Sequence, residues 1–216
     1  MNTLATILAA TGPLTAGWSC HVLWLRRRLR TARRDPLTGL RTREGFTRRA
    51  AAILRDDRAV VVLADVDHFK QINDRHGHAA GDALLKATAD RLAHYVGPNG
   101  VAGRLGGDEF AAVVVDTDGT VADLLAVLHG VLARPADKAN PHVATTVSLG
   151  WVRAADFPGE DLSALLGRAD EAMYAAKQAR AGVRRAGLRR LFVTVTGRRS
   201  GRRGARTDAP AIMAAA

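Results

Sequence analysis

The 216-residue sequence has a single cysteine, Cys20, which excludes an internal disulfide framework and fits a reducing compartment. It also lacks acids where its bases are densest. Residues 26–34 carry six arginines and no acid, and residues 184–216 carry nine arginines against one acid, Asp208. Between them, residues 35–183 hold seventeen Lys and Arg against twenty Asp and Glu, a net −3. The overall charge of +11 therefore belongs to the flanks, which argues against a nucleic-acid-binding core and a specific nucleic-acid partner. From Leu4 to Leu25 the chain runs 22 residues without a charge, against the roughly 20 a helix needs to cross a bilayer. No basic residue precedes that run, although a cleaved secretory signal would want one.

What is present divides the chain into four parts. Residues 1–25 read as a transmembrane helix and residues 26–34 as a basic juxtamembrane linker. The arginines after the span place it in the inner membrane as a single pass, with all that follows in the cytoplasm. A cleaved signal and a buried or dimer-forming helix are the alternatives. Gly12, Ala16 and Cys20 recur every four residues, as a close-packed dimer face would. Residues 35–183 form one folded domain, for which a hydrophobic content of 47% supplies a core. Residues 184–216 contain a strand-like run at 191–195 and then little to bury, so this basic tail reads as disordered. It is either solvated or in contact with anionic lipid or nucleic acid. No sensory domain is visible in so short a chain.

Within the domain, Pro36 and Gly39 break the arginine-rich helix, and a new helix starts near Thr42, its N-cap candidate, with Phe46, Ala50, Ile53 and Leu54 at helical spacing. The apolar run 59–64 reads as a central strand covered on both faces, ending in Asp65 and Asp67. Carboxylates fixed at a rigid strand end make a platform for a hard metal ion. Residues 69–82 are dense in hydrogen-bonding side chains. Asp82 is then expected to open a helix over 83–95 that buries Leu84, Leu85, Ala87 and Leu92. Asn73, His78 and Asp82 together offer the donors and acceptors that suit a guanine edge. Further helices are expected near 121–132 and 162–180, and a strand near 143–152. Strands alternating with helices around a hairpin indicate an α/β or α+β layered sheet.

That hairpin is Arg104-Leu105-Gly106-Gly107-Asp108-Glu109-Phe110. Gly106 and Gly107 can take positive φ in a tight turn, and without side chains they let another molecule approach the backbone. Asp108 and Glu109 lie where turn becomes strand, so they point differently and need not share a job. Alone, such a turn is a solvated hairpin tip; Asp65 and Asp67 some forty residues upstream give it a partner.

The chain resembles the GGDEF family of diguanylate cyclases. The residues that carry the resemblance are Asp35-Pro-Leu-Thr-Gly-Leu40, Asp65-Val-Asp-His-Phe-Lys70, Gln71-Ile-Asn-Asp74, Gly77-His78, Gly81-Asp82, the Arg104–Phe110 signature, Thr146-Val-Ser-Leu-Gly150 and Ala169-Asp-Glu-Ala-Met-Tyr-Ala-Ala-Lys177. The resemblance implies a palm-like nucleotidyl-cyclase sheet ringed by helices. It also implies a homodimer in which two facing domains each hold one GTP and join them into cyclic di-GMP, releasing two pyrophosphates. Attack of a ribose 3′-oxygen on an α-phosphate needs a metal to activate the hydroxyl and neutralise charge. By resemblance Asp65, the Val66 carbonyl and Asp108 hold Mg²⁺ or Mn²⁺. Asp108 and Glu109 are then the catalytic acids, with the base among them left open, and Lys70 is the lysine that stabilises the transition state. Asn73 and Asp82 contact guanine, His78 lies at a further substrate position, Gly106 and Gly107 admit the nucleotide, and Lys177 is a second phosphate contact. Read as residues alone, Lys177 is a solvated helix lysine.

Two departures stand out. Members subject to product inhibition carry Arg-x-x-Asp ahead of the signature; here those positions are Gly97 and Gly100, so that site is expected to be absent. After Lys177 the family has Gly-Arg, whereas this chain has Arg180-Ala181. Helical rotation of about 100° per residue is expected to turn Arg180 away from the phosphates. The alternative to an active cyclase is a catalytically degenerate GGDEF domain serving as a GTP-binding regulatory or scaffold module.

Overall fold

The computed structural model describes residues 33–136 and 143–187, together with Trp18, His21, Val22 and Trp24. Apart from those four residues the expected membrane span lies outside the described part, as do nearly all of the basic linker and the tail beyond residue 187 with its run at 191–195. No helix among the described residues is long and apolar enough to cross a membrane.

The chain forms β1 (Arg41–Thr42), α1 (Arg43–Ile53), β2 (Ala59–Val66), α2 (Phe69–His76), α3 (His78–Val96), β3 (Val101–Arg104), β4 (Glu109–Val115), α4 (Val121–Leu132), β5 (Val147–Arg153), α5 (Leu162–Ala179) and β6 (Val183–Arg185). The six strands make one mixed sheet in the order β1-β3-β4-β2-β5-β6. β2 is central, antiparallel to both β4 and β5. Its β-branched residues suit a pleated interior, and alternation sends them to opposite layers. Val60, Val62, Ala64 and Val66 face α2, α3 and α4, while Ala59, Val61 and Leu63 face α1 and α5. Val60 and Val61 have no exposed surface, and each such burial stabilises the fold by about 1.5–3 kcal/mol. The expectation of a strand covered on both faces holds, because helices supply the cover on each side.

Two boundaries differ from the sequence reading. Residues 69–76 form a helix of their own, and the next helix begins at His78, not at Ala83. Gly77, at φ +82°, is the hinge that ends one and starts the other. Asp82 consequently sits inside α3, a full turn past its start, and does not cap it. Thr88 and Ala89 are buried in place of Ala87, which is only half-buried, because the earlier start sets the phase of the buried face. Thr42 does stand at the N-cap of α1, though its side chain makes no capping bond. The fifth strand starts at Val147, four residues later than expected.

Candidate active site

The sheet register assembles the site. Antiparallel pairing sets Asp65 opposite Glu109 on one side and opposite Ser148 on the other. The Val66 amide donates to the Asp108 carbonyl at 3.2 Å, so the end of β2 is stitched to the signature turn. Asp65, Val66, Asp108 and Glu109, some forty residues apart in the chain, thus share one sheet end. The two halves of the expected carboxylate platform are brought together.

The turn is held from both flanks. Arg104 pairs with Phe110 across the hairpin, and the Leu105 amide donates to the Glu109 carbonyl at 2.8 Å, leaving Gly106, Gly107 and Asp108 at the tip. The Arg104 guanidinium donates to the carbonyls of Gly106 (3.2 Å) and Gly107 (2.7 Å) and to Asp35 Oδ1 (3.0 Å). Asp35 Oδ1 also accepts from the Thr38 amide and hydroxyl at 2.9 and 2.7 Å. Burial pushes the Asp35 carboxyl up, but the Thr38 donors and Arg104 outweigh it and hold it below the ordinary range. From the other side Arg43 donates to the Leu105 carbonyl at 3.1 Å and lies 3.9 Å from the Glu109 carboxylate. Nothing local marks Arg43; it stands 62 residues from Leu105, and only the fold joins them.

Neither glycine of the turn adopts positive φ, against the sequence expectation. The longer tip, with its carbonyls gathered by Arg104, does not need the left-handed region that a two-residue turn demands. The glycines serve by their missing side chains, and differently. A Cβ at Gly106 would lie 2.9 Å from Glu109 Oε2, whereas one at Gly107 would meet nothing within 4 Å. Gly106 makes room for the Glu109 carboxylate; Gly107 keeps the outer surface of the turn clear.

The electrostatics set the acids apart. Burial pushes the Asp108 carboxyl up, and the neighbouring charge of Asp65 pushes it further. Glu109 is raised by burial as well, opposed by Arg43 and reinforced by Asp65, Asp108 and Asp170. Lys177, at the end of α5, answers this crowding: its ammonium donates to Asp65 Oδ1 at 2.6 Å and lies 3.9 Å from Asp67. Burial pulls Lys177 down, but the Asp65 hydrogen bond and the surrounding carboxylates more than offset it, so it is held above the usual lysine value. It is not the solvated lysine that its helix pattern suggests. Asp67 is not open for a ligand. Its carboxylate accepts from the hydroxyls of Thr146 (2.6 Å) and Ser148 (2.8 Å), which clamps the exit of β2 to β5. The Thr146–Gly150 motif is visible in the sequence, but this clamp is not.

A second group lies on the helical pair leaving β2. Lys70 is exposed in the first turn of α2, and His78 and Asp82 are exposed one turn apart on α3. Asn73, on α2, points its amide at Gly81 of α3, where a Cβ would stand 1.9 Å from Asn73 Oδ1. That buried oxygen has no hydrogen-bond partner. A cleft of about 670 Å³ opens beyond Lys177, lined by His68, His129, Arg180, Ala181 and Gly182 among others. Arg180 reaches it because α5 stops at Ala179 and Arg180 is the left-handed cap, φ 50° and ψ 36°. Helical rotation therefore does not apply at this position, and the expectation that Arg180 turns away is corrected.

A sequence profile of the family described as "Diguanylate cyclase, GGDEF domain" matches residues 32–182. The chain belongs to the GGDEF diguanylate cyclase family. It is 49% identical over 177 residues to an uncharacterized 19.3 kDa protein of Streptomyces ambofaciens, covering 82% of this chain and 92% of that one. It is 39% identical over 161 residues to the diguanylate cyclase DgcN of Escherichia coli, covering 71% of this chain but 39% of DgcN. Among solved structures, the coiled coil and GGDEF domain of DgcB from Caulobacter crescentus, in complex with c-di-GMP, superposes with a TM-score of 0.69. Its sequence identity is 27%, and the match covers 86% of this chain and 100% of that one. The GGDEF domain of TpbB from Pseudomonas aeruginosa gives 0.63 at 34% identity, covering 72% and 95%. The mixed sheet with helices on both faces is the fold of these domains.

Proposed function

We propose that the protein is a diguanylate cyclase that condenses two GTP molecules into cyclic di-GMP and two pyrophosphates at the interface of two facing domains. The observation that carries this reading is the register that sets Asp65, itself held by Lys177, against the signature turn that bears Asp108 and Glu109. Two repelling carboxylates at a strand end form a site that gains from a cation. Among the described residues no three His, Cys, Asp or Glu side chains form a ready metal cage. Mg²⁺, or Mn²⁺, takes one or two carboxylates and completes its shell with substrate phosphates and water. Asp65, Asp108 and the Val66 carbonyl would hold it. When bound, the ion supplies charge neutralisation at the α-phosphate and lowers the pKa of the attacking 3′-hydroxyl.

The chain's own residues do the rest. Asn73 and Asp82 orient the guanine, the amide and the carboxylate supplying the donors and acceptors that suit its edge. His78, one turn before Asp82, offers a further substrate contact. Gly107 leaves the turn open to the nucleotide, and Gly106 lets Glu109 fold back beside it. Asp108 or Glu109, both raised carboxyls, takes the proton from the hydroxyl. Lys70 and Lys177 would meet the phosphates. The test is direct: purified full-length protein is incubated with GTP and Mg²⁺, and cyclic di-GMP is measured against protein concentration. The expected rate rises more steeply than linearly, because two chains complete one site. A folded, dimeric protein that makes none would sink the reading. The reading of residues 4–25 as an inner-membrane anchor, with the domain in the cytoplasm, rests on charge pattern alone, and membrane fractionation tests it.

Product feedback through an Arg-x-x-Asp site is not expected. Gly97 caps α3 at φ +59°, ψ −166°, a conformation nearly reserved to glycine. At Gly100 a Cβ would stand 2.6 Å from the Val96 carbonyl and 2.9 Å from that of Val113. The backbone here is built for small residues, with no room for the acid. Calorimetric titration of the protein with cyclic di-GMP should show no submicromolar binding; finding it would overturn this claim.

A further inference from the structure

α4 has the inner face of an amphipathic helix without the polar outer one. Val121, Leu125, Leu128 and Leu132 are buried in the core, as their spacing requires. The solvent side is built from Ala122, Asp123, Leu124, Ala126, Val127 and Gly130. Asp123 is the only Asp, Glu, Lys or Arg of the helix. Within residues 33–136 and 143–187 the exposed large hydrophobic side chains are Leu124, Val127 and Tyr174. Leu124 and Val127 lie one turn apart and are 48% and 64% exposed. A helix that is apolar all round belongs in an interior, and contiguous apolar surface marks a contact site.

The chain itself carries a cover of fitting reach and charge. β6 is the edge strand of the sheet, and α4 touches it. Val183 packs against the core layer of Val121, Leu125 and Leu128, while Ala186 touches the layer behind the sheet. The described chain leaves β6 at Gly187, and the apolar run Leu191-Phe-Val-Thr-Val195 begins four residues later. Four residues span up to about 13–14 Å, against about 10–12 Å for the width of a helix with its side chains. The run is therefore long enough in its tether to reach the solvent side of α4. Asp118 and Asp123 are exposed at the start of this helix, and residues 117–133 carry no Lys or Arg. The run is flanked by Arg189, Arg190, Arg198 and Arg199, which complement those acids. Acids without bases disfavour an anionic lipid surface, and two copies of this face would bring like charges together. A segment on a short tether also acts at an effective concentration of about millimolar, which favours it over a second copy in dilute solution.

We propose that residues 191–195 lie across the outer face of α4, covering Leu124 and Val127, with the flanking arginines beside Asp118 and Asp123. The apolar face and the apolar run, each without a role in the nucleotide site, are then two halves of one contact.

Two measurements on the full-length chain test this. In a Cys20→Ser background, Val127→Cys is combined with Phe192→Cys and the protein is mildly oxidised. A disulfide within one chain should form, at a rate independent of protein concentration. Ala51→Cys, exposed on α1 in the other layer, is the control with Phe192→Cys and should stay reduced. Equal rates for the two pairs overturn the proposal, and so does a disulfide that joins two chains, which would assign the face to a second copy. Separately, Phe192→Ser and Val127→Asp should each lower the melting temperature by about 3–6 °C, and the double variant no further than the larger single fall. Unchanged melting in both, a fall with Val127→Asp alone, or additive falls would each show that this run does not cover α4.

Discussion

Replacing Asp108 with asparagine is expected to make the protein more heat-stable and to abolish the cyclic di-GMP synthesis proposed for it. Asp108 is raised by burial and by Asp65, so its ionised form is worse tolerated in the fold than in the unfolded chain. The sign follows from that. Above the folded pKa the carboxylate is charged in both states and destabilises the fold. As pH falls through the folded value the native state takes up the proton first, and the penalty disappears near the ordinary carboxyl range. The substituted amide is neutral throughout, so the variant gains stability at neutral pH and none in acid. The side chain is only half-buried, and solvent screening limits the gain to about 1–3 °C. The activity loss should be about 1000-fold or more, since a site built on oriented charge loses one of its two anions. Mg²⁺ should raise the melting temperature of the parent protein and leave the variant unmoved. A variant that is active, or that melts lower at neutral pH, would show that Asp108 is an ordinary hairpin-tip acid.

Gly150→Ala has the largest effect expected on folding. A Cβ at this position in β5 would stand 2.0 Å from the Ala169 carbonyl oxygen and 2.3 Å from the Met173 amide nitrogen. Both are backbone atoms of α5, which cannot rotate aside as a side chain would. The whole helix must move off the sheet, and Leu165, Ala169 and Met173 lose their packing on that face. The cost should be about 3 kcal/mol or more, a fall of roughly 10 °C in melting temperature. α5 also carries Lys177 and ends at Arg180, so surviving folded protein should show a raised KM for GTP. Gly107→Ala is the control, because nothing lies within 4 Å of its added Cβ and its melting temperature should not change. Equal melting temperatures for both variants would mean that α5 does not rest on Gly150 as described.

Much of the fold is legible in the sequence because its signals are local. The continuous apolar run of β2, the helical spacing of Phe46 and Ala50, and the glycine pair before two acids each follow from backbone periodicity and turn chemistry. The motif series, in its order and spacing, points to the family without any coordinate. The misreadings arise where propensity and position compete. Asp82 has the chemistry of a helix cap, but Gly77 five residues earlier already supplies the break, so α3 begins sooner. The expectation for Arg180 extrapolates a helix past its last residue, where the backbone turns left-handed and the rotation argument ends.

The sequence by itself determined the carboxylates, the glycines and the element order, because these depend on residue type and short-range spacing. It also determined that Gly97 and Gly100 stand where an Arg-x-x-Asp site would be. The tertiary structure decided how each acid is held. Asp67 is spent on Thr146 and Ser148, Asp65 is paired with Lys177 from 112 residues away, and Asp108 is left raised by burial and by the charge of Asp65. It also decided that Arg43 and Arg104 hold the turn and that Arg180, not Ala181, brings a charge to the cleft beyond Lys177. Those assignments depend on strand register and on where a helix stops, and both are set by long-range packing that no local pattern encodes.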